Sequence, residues 1–181
     1  KLLYQQEFGG GHLIRDPERA LAILKEEWDG MDEADKRKLP SVEPIGNGYA
    51  RIYFSAVENE DISLSHIWRM FIASSETKRG SMERFLKKLQ EFPSLAEEGA
   101  FSFSPAAAEI YTSEYREGGC PIVSHSEAYK KAYHPAYRVI DSRYIPLLPV
   151  IRAIDSLMVK KSRVVVAIDG RAASGKSTAT E

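Results

Sequence analysis

The chain has 181 residues, 43% of them hydrophobic and 28% charged, with a formal net charge of −1. That composition excludes a disordered or low-complexity protein and leaves room for one well-cored domain, or for one domain and part of a second. No stretch approaches the ~20 apolar residues needed to span a bilayer. A lone cysteine, Cys120, excludes an internal disulfide framework, and KLLYQQEFGGG lacks the apolar core of a secretion signal. A cytoplasmic protein is expected.

Elements follow in chain order. DPERALAILKEEWDG (16–30) predicts a helix with Asp16 as cap, Pro17 in the first turn and Gly30 beyond the end. MDEADKRKL (31–39) reads as a short polar helical continuation closed by Pro40. EPIGNGYARIYFSAV (43–57) reads as a hairpin, turned by Gly46-Asn47-Gly48, with Ala50, Ile52 and Phe54 on one face. Behind Ser63, the residues Leu64, Ile67, Trp68, Phe71 and Ile72 share a helical face. SMERFLKKLQEF (81–92) predicts another helix, stopped by Pro93, and SPAAAEIYTSEYREGG (104–119) a further one. The fold class expected for residues 1–143 is α+β, a mainly helical domain with a small β-hairpin.

Three stretches of this region hold candidate chemistry. In FGGGHLI (8–14), unobstructed backbone N–H groups beside His12 would cradle an anion; the plainer alternative is a turn between a strand and the helix at 16. In SHSEAYKKAYHPAYRVI (124–140), Tyr129 and Tyr133 share a helical face that Pro135 ends, flanked by Lys130, Lys131, His134 and Arg138. Stacking a base and holding a phosphate is one reading; the expected one is that the tyrosines pack on the core and the lysines are solvated. His12, His66, His125 and His134 fit no metal-binding spacing, His66 is expected to be structural, and Cys120 has no visible partner that would make it a nucleophile.

Charge changes along the chain. Residues 1–120 carry 15 Lys and Arg against 21 Asp and Glu, whereas residues 121–181 carry 10 against 5, a balance that favours an anionic ligand near the C-terminal third. There VIRAIDSLMVKK predicts a connecting helix within 144–161, with Val150, Ile151, Ile154, Leu157 and Met158 inward. RVVVAI (163–168) has the unbroken β-branched character of a strand buried in a parallel sheet. It leads into DGRAASGKST, in which Gly170, Gly175, Lys176 and Ser177 fit G-x-x-x-x-G-K-[ST]. Glycines let the main chain approach a phosphate, and the following helix would direct free N–H groups at it. Lys176 would reach the β- and γ-phosphates and Ser177 would ligate Mg²⁺.

VVVAIDGRAASGKST resembles the opening of the P-loop nucleoside and nucleotide kinases, especially uridine kinase-like proteins. The resemblance covers residues 163–181. It implies an ATP and Mg²⁺ site at Gly170, Ser174, Gly175, Lys176, Ser177 and Thr178, a catalytic role for Lys176, and an Asp169 that faces the acceptor or a metal-bound water. It also implies a small-molecule phosphate acceptor. Such a kinase needs a second carboxylate, an acceptor pocket and an Arg-bearing lid, which the residues after Thr178 cannot supply. The expectation is therefore the front part of a longer kinase, with 162–181 as the truncated start of its catalytic domain, inactive by itself. The alternatives are another kind of P-loop NTPase and a nucleotide-, nucleic-acid- or protein-binding module; nucleic acid is the less expected partner.

Overall fold

The computed structural model describes residues 1–32, 40–133, 135–173 and 175; the helical continuation expected over 31–39 falls mainly outside them. The architecture is α+β, with helices around an antiparallel three-stranded sheet of order β1-β2-β3. β1 (Val42–Gly46) and β2 (Tyr49–Tyr53) form the expected hairpin, and its turn has left-handed backbone at Gly46, Asn47 and Gly48. β3 (Tyr137–Asp141), not anticipated from sequence, adds to β2 with Ala50 opposite Ile140 and Ile52 opposite Arg138.

Alternation divides the sheet into two faces. Ala50, Ile52 and Ile140 point into the main core, where they meet Leu24 of α2 (Pro17–Asp29) and Ile67, Met70 and Phe71 of α4 (Leu64–Ser75). Asp16 caps α2 through the backbone N–H groups of Glu18 and Arg19, and Ser63 caps α4 through that of His66. The opposite face carries Tyr49, Arg51, Tyr53, Tyr137 and Val139, and α1 (Leu2–Phe8) packs beside it. A short helix, α3 (Ala56–Asn59), joins β2 to α4.

A second apolar cluster forms where α1 meets α5 (Met82–Gln90): Phe85, Leu89 and Cys120 bury against Leu3, Tyr4, Phe8 and Tyr115. α5 ends at Gln90. Pro93 then sits in the first turn of α6 (Phe92–Glu97), so it starts a new helix as well as closing the old one. α6 packs against α7 (Pro105–Glu117), which Ser104 caps.

The triple glycine is a packing device. It follows a helix, not the strand expected, and leads into a 3₁₀ turn at Gly11–Leu13. A Cβ on Gly10 would lie 2.8 Å from the Phe71 ring, and one on Gly11 would lie 2.8 Å from the Ser75 carbonyl oxygen. The backbone is pressed on α4, which leaves no room for an anion on that side.

α9 (Leu148–Met158) follows a 3₁₀ segment, Ser142–Leu147. Leu148 enters the main core and Ile151 packs at its margin, but Val150, Leu157 and Met158 are exposed, contrary to the inward face expected for them. The helix touches the core only by its first turns. Residues 163–168 belong to no sheet, and Val165 is 77% exposed, so the buried strand expected there is not formed among the described residues. A parallel strand needs a neighbour to take its ladder hydrogen bonds, and the run 163–168 pairs with none of the three strands of the antiparallel sheet. Among the described residues no helix is long and apolar enough to cross a membrane.

The tightest seam lies at Gly80, where a Cβ would fall 2.1 Å from the Glu7 carbonyl oxygen. Gly80→Ala should therefore force α1 and α5 apart and cost about 2 kcal/mol or more. A urea midpoint equal to that of the wild type would contradict this packing.

Candidate functional site

The residues expected to form a phosphate loop are partly described. Asp169 is exposed and accepts a hydrogen bond on Oδ1 from the backbone N–H of Gly170 at 2.7 Å. Ala173 and Gly175 both take left-handed backbone, φ +58° and +80°. Ser174, Lys176, Ser177 and Thr178 lie outside the described residues, so of the expected site only Asp169 and Gly170 are seen in contact. Among the described residues no group of three His, Cys, Asp or Glu side chains is placed to hold a metal ion.

A second constellation is fully described. It centres on Tyr137, whose ring lies under the Arg51 guanidinium at 4.8 Å and edge-on to Tyr53. Gln5 donates from Nε2 to the Tyr137 hydroxyl at 3.1 Å, and Arg51 donates from Nη2 to Gln5 Oε1 at 2.9 Å. His125 Nε2 lies 2.8 Å from the same hydroxyl. Because that oxygen already accepts from Gln5, donation of its proton to His125 satisfies both groups. Arg51 continues to Glu43 at 3.0 Å, which also accepts from Tyr53 at 2.6 Å. Burial and then the Glu43 carboxylate push the Tyr53 phenol up to about 12.

A cavity of about 380 Å³ opens between this network and the end of α2, lined by Lys1, Gln5, Glu27, His125, Lys130 and Tyr137 among others. His125 is only partly buried, yet burial, followed by the charges of Lys1 and Arg51, lowers its pKa to about 4. Burial, followed by Arg51 and Lys130, lowers the Lys1 ammonium to about 8. The local field is positive.

No protein-family model, curated protein or solved structure matches the chain. The site must be read from its own chemistry.

The stretch 124–140 divides differently from expectation. α8 (Glu127–Tyr133) ends before Pro135, as its ring requires. Its tyrosines are not core: Tyr133 is 68% exposed, and Tyr129 stacks on the His125 imidazole with centroids 4.5 Å apart and planes at 12°. The short helix lies outside the two main apolar clusters and so has no buried face to offer them. Arg138 points the other way, is buried, lies over the Phe54 and Phe71 rings and pairs with Glu27 at 2.7 Å. His134 lies outside the described residues. His66 Nδ1 meets Asp155 at 3.2 Å and Ser63 at 2.7 Å, fastening α4 to α9; both contacts use one ring nitrogen, so no proton relay from serine through histidine to aspartate is formed. His12 sits edge-on to Tyr4, and Cys120 is buried beside Phe85 and Leu89.

Gln5, Glu43, Arg51 and Tyr53 are among the members sequence reasoning missed. Gln5 lies 132 positions from Tyr137, and no local spacing connects them.

The His125 environment has a measurable consequence. The unfolded chain takes up a proton at this imidazole near pH 6.5, the folded chain near 4. Its neutral state thus supports folding above pH 6.5, and that contribution is lost as pH falls from 6.5 to 4. An NMR titration should find His125 neutral at pH 5, and a half-protonation point near 6.5 would refute the placement.

Proposed function

We propose that the chain carries the ATP-phosphate loop of an ATP-dependent kinase of the nucleoside or nucleotide type, uridine kinase-like, in which residues 1–143 form an accessory domain. One observation carries the reading: Gly170, Gly175, Lys176 and Ser177 match G-x-x-x-x-G-K-[ST] directly behind the apolar run 163–168. The left-handed backbone at Ala173 and Gly175 supports it, because left-handed residues are a component of the backbone nests that turn N–H groups toward an anion.

In this reading an acceptor oxygen attacks the γ-phosphorus of ATP, the bond from that phosphorus to the β–γ bridging oxygen breaks, and ADP leaves with the electron pair. Lys176 holds the β- and γ-phosphate oxygens and neutralises the charge that grows on them. Ser177 offers a neutral hydroxyl oxygen, a donor suited to Mg²⁺ held jointly with nucleotide phosphates; Mg²⁺ supplies charge shielding. Asp169, at the end of the apolar run, orients the acceptor hydroxyl and takes its proton. Ser174 and Thr178 complete the phosphate contacts. A cytoplasmic location suits a nucleotide-dependent enzyme with one cysteine.

Lys176→Ala in the natural protein should weaken Mg²⁺–ATP binding at least tenfold, about 1.4 kcal/mol, and lower phosphoryl transfer roughly 10²-fold or more. Unchanged ATP affinity and turnover would remove the assignment.

A further inference from the structure

The cavity beside Tyr137 lies in the part of the chain that the kinase reading treats only as an accessory domain. Its walls come from four places: Lys1 and Gln5 on α1, Glu27 near the end of α2, Ser124, His125 and Lys130 in and before α8, and residues 135–139 leading into β3. A volume of about 380 Å³ is within the range of small-molecule sites. The floor is rigid. Gln5 and Arg138 are buried, and Tyr137 is clamped by Arg51, Gln5 and His125 at once.

Charge decides what such a cavity accepts. Glu27, the acidic residue in its lining, is already paired with Arg138 at 2.7 Å. Lys130 pairs with Glu127 at 2.6 Å, but that pair is solvent-exposed and contributes little. Arg51, over the Tyr137 ring, is paired with Glu43 at 3.0 Å, so the uncompensated positive charge in the lining is that of Lys1 and the loosely held Lys130. Burial, and after it the neighbouring cations, keep the His125 ring neutral, so Nδ1–H is a donor while Nε2 is engaged by Tyr137.

We propose that this cavity binds a small organic anion, a phosphate or a carboxylate, whose charge is met by Lys1 and Lys130 and whose remaining polar atoms meet Gln5, His125 and Ser124. His125, which lines the cavity, is itself held by stacking on Tyr129, which in turn packs on Tyr133. The site is independent of the phosphate loop and stands or falls apart from it.

The test uses the 181-residue chain with three probes: inorganic phosphate, AMP and succinate. Binding is followed by calorimetry and by the His125 and Tyr137 NMR signals. At least one probe should bind with salt-sensitive affinity, shift both signals and raise the half-protonation point of His125, because a bound anion offsets the positive field. Preference for phosphate and AMP over succinate would identify a phosphate ligand, and the reverse a carboxylate. Lys130→Glu, an exposed position, should weaken binding about tenfold or more, whereas Lys176→Ala should leave it unchanged. The proposal fails if no probe binds at millimolar concentration. It fails equally if probes bind without moving His125, or if Lys176→Ala rather than Lys130→Glu abolishes binding, which would assign the anion to the phosphate loop instead.

Discussion

A single buried carboxylate, that of Glu7, fixes α1 on α5. Glu7 is 1% exposed, yet it is met by Lys88 at 2.6 Å, by Arg84 at 3.0 Å and by the backbone N–H of Ser81 at 3.3 Å. Burial alone would raise its pKa; the hydrogen bonds from Lys88 and Arg84 reverse the direction and hold it below the ordinary value. Its partners all come from α5 or the residue that caps it, so the charge on Glu7 fixes where α1 can lie. α1 and the residue that precedes it in turn supply a wall to two cavities. Gln5 faces the polar cavity at Tyr137, while Leu3 and Tyr4 line an apolar groove with Phe85, Phe92 and Tyr111.

The same logic, a buried charge satisfied from several elements, recurs at the far end of the sheet. Asp141 is buried and pairs with Arg79, accepts from the Arg143 N–H at 3.0 Å and donates its own N–H to Ser74 at 2.7 Å. The Ser74 hydroxyl donates in turn to the Met70 carbonyl oxygen at 2.6 Å. β3, α4 and the loop before α5 are thereby tied at one point. Removing either carboxylate would strand cations and open backbone donors, so these residues specify the arrangement more than they add to net stability.

How much of this was legible depended on the range of the interaction. Helix starts at Asp16, Ser63 and Ser104 and the hairpin turn at Gly46–Gly48 are local contests between side chain and backbone, and the sequence pattern states their outcome. β3 was not legible as a strand, since Tyr137–Asp141 acquires its ladder from β2 across more than eighty residues. The triple glycine was legible as unusual but not as a contact with Phe71 and Ser75, which only the tertiary fold brings near. Likewise the 124–140 segment announced aromatics among cations, but gave no sign that His125 would lie under Tyr129 or that Gln5 would complete the network. The G-x-x-x-x-G-K-[ST] match at Gly170–Ser177 is the opposite case. Its residues are contiguous, so the motif can be read without any knowledge of the sheet beside it.

The run 163–168 has one further consequence. Val165, Val166 and Ile168 are exposed, and the backbone of the run pairs with none of the three strands. β-branched, uncharged past Arg163 and free of proline, it has the composition of a segment that stacks with copies of itself. An unpaired backbone beside exposed apolar side chains is a template on which copies of the chain associate, and Val165→Lys would place a gatekeeping charge in it.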